Sequence, residues 1–153
     1  MTLLFAFLIG FFAGLRSLTA PATTAWAVRQ GWLKLEGPLA LIGSIPSVAI
    51  FTLLAIVELV TDKLPRTPSR TSPPGLIARI VTGALTGACV AAGGGQGIPV
   101  GALLGAAGGV VGCFGGYQAR ARLVKALGVP DIYIALLEDL VAVAGCVLVV
   151  SRF

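Results

Sequence analysis

From Leu3 to Val28 the chain carries one charged side chain, Arg16, and four further apolar stretches follow near residues 38–61, 76–92, 100–119 and 132–150. A helix rises 1.5 Å per residue, so roughly 20 apolar residues cross the hydrocarbon of a bilayer. Each stretch approaches or exceeds that length. Composition agrees: 11% of the 153 residues are charged, whereas a soluble domain averages roughly 25%. The mean hydropathy is +0.99. The fold class expected is all-α, one polytopic transmembrane bundle of about five spans covering residues 1–153. No cations precede the first apolar run, so it reads as a retained span rather than a secretory signal.

Helix breakers divide the stretches. Pro21, with Ser17, Thr19, Thr23 and Thr24 around it, predicts a break or kink near Arg16–Pro21, because proline removes a helical hydrogen bond that neighbouring groups must replace. Pro46 predicts a kink in the second stretch or the start of a shorter helix. Four prolines between residues 62 and 75 forbid a regular helix there. Gly93-Gly94-Gly95-Gln96-Gly97 forms a turn, and it lacks the Lys-Ser or Lys-Thr that a phosphate-binding loop needs. Gly128-Val129-Pro130 separates the last two stretches. Trp26 and Trp32 flank a polar connection, as interfacial aromatics do.

Cations report orientation. Five spans with the proline-rich loop cytoplasmic put Lys63, Arg66, Arg70, Arg79, Arg120, Arg122 and Lys125 inside, and Arg29, Lys34 and Arg152 outside. The positive-inside rule then gives an inside N-terminus and an outside C-terminus. Lys63, Arg66, Arg70, Arg120, Arg122 and Lys125 could also grip lipid phosphates on the cytoplasmic side. Gly101, Gly105, Gly108, Gly112 and Gly116 recur at three- and four-residue spacing, a glycine-zipper pattern that lets another helix backbone come close; Gly83 and Gly87 repeat it. Gly14–Trp32 and Gly112–Pro130 also share a plan, each followed by a stretch with carboxylates. An inverted two-helix repeat with a linking span is one expectation, a pattern known from transporters.

Arg16 is the residue that points most directly to chemistry. A central arginine costs about 2.5–3.5 kcal/mol on insertion scales and should face water or the bundle interior. It reads as an anion site or gating ion-pair partner, or else as a structural ion pair or a short-helix cap that snorkels to the interface. Glu138 and Asp139 are adjacent, so 100° of helix rotation keeps them off one face. Glu138 is the one expected in a pathway, paired with Arg16, and Asp139 the one expected in water. Glu58 and Asp62 are one turn apart and share a face. They could hold a cation, or be neutralised by Lys63 and Arg66.

Several classes are disfavoured. Histidine is absent, which removes the usual proton-transfer residue and commonest metal ligand. Cys89, Cys113 and Cys146 are widely spaced and lie in apolar stretches, so they read as small packing residues. No basic stripe interleaves with aromatics, which argues against nucleic acid. No catalytic constellation, metal or cofactor is expected.

Gly14-Leu15-Arg16-Ser17-Leu18-Thr19-Ala20-Pro21, the segment Asp62–Gly75, and Phe114-Gly115-Gly116-Tyr117 with Arg120 resemble a family of small bacterial multi-span membrane proteins classed as a domain of unknown function. The resemblance implies an inner-membrane protein and supplies no activity or substrate. The function expected from the residues is a small transporter or channel for an ion or small polar solute. Its pathway would pass Arg16, Ser17 and Thr19 opposite Glu58, Asp62, Glu138 and Asp139, in a homo-oligomer because few helices enclose little space. The alternative is a non-transporting scaffold that binds lipid or a partner through its glycine face.

Overall fold

A computed structural model describes residues 1–63 and 71–153. Among these residues it is all-α: α1 (Thr2–Leu15), α2 (Thr19–Arg29), a short 3-10 helix (Gly37–Gly43), α3 (Ile45–Thr61), α4 (Pro73–Gly93), α5 (Ile98–Leu127) and α6 (Asp131–Val150). The prolines mark starts. Pro46, Pro73, Pro74 and Pro99 occupy the first two positions of α3, α4 and α5, where the missing N–H would be unpaired anyway. Ser44 caps α3 by accepting from the Ser47 N–H. Gly128 ends α5 at φ 61°, a left-handed conformation that glycine adopts without a Cβ penalty.

The first apolar stretch differs from a single span. The Thr2 side chain lies against Gly94, while Leu33, just beyond α2, lies against Gly93. Farther in, the Phe12 ring lies against Gly145 and Thr23 meets the Cys146 thiol. Residues 2 and 33 share one level, and 12 and 23 another, so α1 enters, the chain turns at Arg16–Leu18, and α2 returns to the same end. Arg16 is extended (φ −139°, ψ 108°), and Pro21 sits in the first turn of α2 rather than mid-helix, so it kinks nothing. The unit is a hairpin with α6 packed against both arms.

The other helices alternate in direction. Trp26 Nε1 donates to Thr52 Oγ1 at 3.0 Å and Glu58 reaches Ser17, so α3 runs antiparallel to α2, toward the hairpin tip. α4 returns to Gly93, α5 passes outward beyond the tip, and α6 comes back until Phe153 meets Phe5, ring centroids 6.0 Å apart. Both termini therefore lie at one end of the molecule. By length and composition, α4, α5 and α6 can each cross a membrane, and the 3-10 helix with α3, bent by 58°, makes a fourth candidate. That is three or four where five were expected, because the Leu3–Val28 stretch folds back. The repeat also lacks structural likeness: Gly14–Trp32 contains the hairpin tip, whereas Gly112–Leu127 is continuous helix.

Glycine sets the contact between α5 and its neighbours. A Cβ on Gly105 would collide with the Gly83 carbonyl, one on Gly101 with Ala91 and the Gly87 carbonyl, one on Gly108 with the Phe7 carbonyl, and one on Gly112 with the Phe11 carbonyl. Gly116 is buried in the same helix. Backbones of α1, α4 and α5 thus touch directly, which leaves no room for side chains between them and maximises dispersion contact. Ala6, Ile9, Ala13, Cys89, Val90 and Cys146 extend this core.

Candidate functional site

The hairpin tip is where the charged side chains gather. Arg16 is fully buried (0% exposed). Its Nη1 donates to Asp62 Oδ2, beyond the end of α3, and its Nε donates to Asp139 Oδ1 on α6 at 2.5 Å. The Nη2 atom lies 2.5 Å from the same Asp139 oxygen, an ion-pair contact without hydrogen-bond geometry. Asp139 Oδ2 accepts from Lys63 Nζ at 2.6 Å, and that amine also donates to the Leu59 carbonyl at 2.6 Å. A buried guanidinium flanked by two carboxylates is compensated, whereas removing either side would strand charge in a low-dielectric interior.

The two helix ends at the tip are satisfied from other helices. Glu58 on α3 accepts from the Ser17 N–H (2.8 Å), the Ser17 hydroxyl (2.6 Å) and the Leu18 N–H (2.8 Å). Its carboxylate thereby sits at the N-terminus of α2, the positive end of that helix dipole. Arg79 on α4, 5% exposed, donates from Nε to the Gly14 carbonyl at 3.0 Å, near the C-terminus of α1, and from Nη1 to the Gly75 carbonyl at 2.9 Å. Toward the outer side, Arg120 Nε donates to Asp131 Oδ1 at 2.7 Å, and Arg120 Nη1 lies 3.6 Å from Glu138 Oε2. Among the described residues four cations (Arg16, Lys63, Arg79, Arg120) and five carboxylates (Glu58, Asp62, Asp131, Glu138, Asp139) thus lie in or beside the tip, and the five are every acidic residue of the chain except Glu36. Thr19, 4% exposed at the first position of α2, keeps its hydroxyl without a hydrogen-bond partner among the described residues.

The expected site residues are therefore brought together, with different pairings. Asp139, expected in water, holds Arg16; Glu138, expected to pair with Arg16, turns to Arg120 instead. The 100° between neighbours turns them to different sides of α6. Arg16 does not snorkel, because α3 and α6 bring carboxylates to it. Among the described residues Glu58 takes two backbone amides and the Ser17 hydroxyl, and Asp62 takes Arg16. Arg122 and Lys125 are exposed on the outer part of α5, and Arg66 and Arg70 lie outside the described residues. Two members were not singled out as site residues from sequence. Arg79 was legible as the one charge inside the 76–92 stretch, the same signal that marks Arg16. Asp131 offered only its place beside Pro130.

A family model described as a domain of unknown function (DUF4126) matches residues 3–151. The chain belongs to this family. No curated protein and no solved structure matches it. DUF4126 carries no assigned chemistry, so the reading of the site rests on its geometry. The match spans the hairpin, the cluster and the glycine-packed helices together, which makes them parts of one family unit.

The arrangement can bind and exchange charge. It offers a buried cation with two carboxylate partners, a carboxylate held by neutral donors, and a tip built from three non-helical residues. Non-helical backbone at membrane depth persists only where protein covers it or a polar cavity adjoins it. Here the covering groups belong to α3, α4 and α6.

Proposed function

We propose that the chain is a small membrane transporter or channel for an ion or small polar solute, with its pathway at the hairpin tip. The observation that carries this reading is Arg16, fully buried yet held by side chains from two other helices. Its position is about 21 Å from the Thr2 end along α1, some two-thirds of a hydrocarbon core of roughly 30 Å. A purely structural fold has little reason to place a guanidinium there, since well-packed apolar residues of similar volume are often as stable or more so. Interrupted helices whose ends meet polar groups inside the membrane are how many transporters hold their substrates.

In this reading the membrane is crossed four times, by the 3-10 helix with α3, α4, α5 and α6, and the α1–α2 hairpin is re-entrant. An even number of crossings puts both termini on one side. Lys63, Arg79, Arg120, Arg122 and Lys125 lie toward the tip end, against Arg29, Lys34 and Arg152 at the other, so the tip end is cytoplasmic and both termini are outside. This replaces the inside N-terminus drawn from five spans; the membrane is the bacterial inner membrane that the family resemblance implies. Cysteines introduced as Thr2→Cys and Lys34→Cys should label from the outside only, and Lys125→Cys from the inside only.

The centre is filled by glycine-mediated helix contacts, so a hydrated path requires the tip to move or copies to assemble around it; a homo-oligomer is part of the proposal. The scaffold alternative loses its surface, because Gly101, Gly105, Gly108 and Gly112 are already covered by α1 and α4. The test is flux in liposomes containing the purified protein. Arg16→Lys and Arg16→Ala variants that insert and remain monodisperse should lose most of the flux. Unchanged flux in both would remove the proposal.

A further inference from the structure

Away from the tip, α2 and α3 leave a groove between them. Ile45, Val48, Ala49, Thr52, Leu53 and Ile56 follow one another at helical spacing, so they form one stripe along α3. With Trp26 and Arg29 of α2 they line a cavity of about 410 Å³. The two helices are pinned together at two places. At the outer end Gly43, just before the 58° bend into α3, lies against the Val28 side chain and the Arg29 backbone nitrogen. Farther in, Trp26 Nε1 donates to Thr52 Oγ1 at 3.0 Å. An interfacial tryptophan ordinarily turns its N–H to headgroups or water. Here the N–H goes to α3, which fixes the indole as a wall of the groove.

One residue of the lining is charged, and none is acidic. Arg29, the last residue of α2, is exposed and has no hydrogen bond or ion pair among the described residues. The dipole at the C-terminus of α2 favours a cation there, but it does not account for an apolar trough running away from it. From Ile45 to Ile56 the stripe rises about 16 Å. That is close to the depth of one leaflet, half of a hydrocarbon core of roughly 30 Å. We infer that this groove binds one phospholipid with an anionic headgroup, taken from the leaflet at the end of the molecule that holds both termini. Its acyl chain lies along the α3 stripe against Trp26, and its phosphate pairs with the Arg29 guanidinium, whose planar fork matches phosphate oxygens. A zwitterionic lipid brings its own cation beside the phosphate, so the uncompensated charge of Arg29 favours the anionic one. Lys34 and Arg152 at the same end, against Glu36 alone, favour the same sign. A second copy of the chain fits less well as occupant, because Glu36 is the one acidic side chain outside the tip cluster that it could bring to Arg29. The site is separate from the hairpin tip and does not rest on the transport reading.

The two tryptophans of the chain supply the test. Trp32→Phe leaves Trp26, which lines the groove, as the single indole; Trp26→Phe leaves Trp32, which does not line it. Each variant is reconstituted into phosphatidylcholine vesicles that contain a minor share of either phosphatidylglycerol or phosphatidylcholine with brominated acyl chains, which quench indole fluorescence on contact. Trp26 should be quenched about fivefold more effectively by the anionic lipid, the worth of one cation beside an anionic headgroup. The excess should shrink as salt is raised. Trp32 should distinguish the two lipids little. In the Trp32→Phe background Arg29→Gln, an exposed change that leaves the fold intact, should remove the preference, and Arg29→Lys should keep part of it. Ala49→Phe, which fills the groove, should lower quenching by both lipids. Equal quenching of Trp26 by the two lipids, unchanged by Arg29→Gln, would leave the groove to bulk lipid and overturn the inference. Protection of Trp26 from both lipids, lost together with an oligomer in Ala49→Phe, would give the groove to a second copy and overturn it as well. None of these readouts depends on flux, so this inference and the transport proposal fail separately.

Discussion

Two regions of this bundle hold together by opposite means. Where α1, α4 and α5 cross, side chains are absent, and Gly10, Gly83, Gly87, Gly105, Gly108 and Gly112 let backbones meet. Some 10 Å farther along, at the hairpin tip, long charged side chains join the end of α1 to α3, α6 and α4. The glycine region has one way to pack, since added volume has nowhere to go. The tip is held instead by directed ion pairs and hydrogen bonds between separate helices, and these can be removed and replaced one partner at a time.

The largest effect should come from the tip. Arg16→Ala leaves Asp62 and Asp139 facing each other in a dry interior, and breaking a buried pair from one side costs about 3–5 kcal/mol. A melting or denaturant titration in detergent should show that loss. Combining Arg16→Ala with Asp62→Asn and Asp139→Asn should recover most of it, because the stranded charges are gone. Recovery of stability without recovery of flux would separate the functional use of the charge from its structural use. Gly105→Ala should follow, with a loss of about 1–3 kcal/mol from overpacking. Its Cβ meets the Gly83 carbonyl and the Gly87 Cα, so no side-chain change elsewhere should rescue it. A rescuable tip and an unrescuable seam would confirm the contrast; rescue of Gly105→Ala by a second substitution would break it.

The sequence carried the seam more plainly than the tip. Glycines at three- and four-residue spacing in α5, matched by Gly83 and Gly87 in α4, marked close helix contact without any three-dimensional information. Arg16 was equally visible as the lone charge of its stretch. Its partners were not, since which of Glu138 and Asp139 faces it depends on the rotation of α6, and two adjacent residues give no periodicity to fix that. The hairpin was hidden for a different reason. Residues 3–28 have the length and apolarity of one span, and a Pro at position 21 is compatible with a kink, a break or a reversal. Only the contacts of Thr2 with Gly94 and of Leu33 with Gly93 decide among these, and they are set by packing between distant segments.

Arg79 joins the two regions and gives a third, smaller prediction. Its guanidinium caps the Gly14 carbonyl just before Arg16, while its own carbonyl lies where a Cβ on Gly109 would fall. Arg79→Met keeps the stem and loses hydrogen bonds from a charged donor, worth about 1.5–3 kcal/mol in the direction of destabilisation. Because the cap holds the end of α1, the variant should also make Ser17→Cys more reactive to a water-soluble thiol reagent, while the native Cys89, buried on α4, stays protected.

The smallest effect belongs to the outer rim, and it tests whether the charge cluster is graded from outside to inside. Asp131 is 59% exposed at its side chain, against 0% for Arg16 and 13% for Asp139. An ion pair in contact with water gains little over hydration and is screened by salt. Asp131→Asn should therefore shift stability by only about 0.2–1 kcal/mol, and the shift should fade as salt is raised. Asp139→Asn, one face of α6 deeper and in contact with both Arg16 and Lys63, should cost several times more and resist salt. If the two variants responded alike, Asp139 would have to be as wet as Asp131, and the dry joint at the hairpin tip would be lost with it.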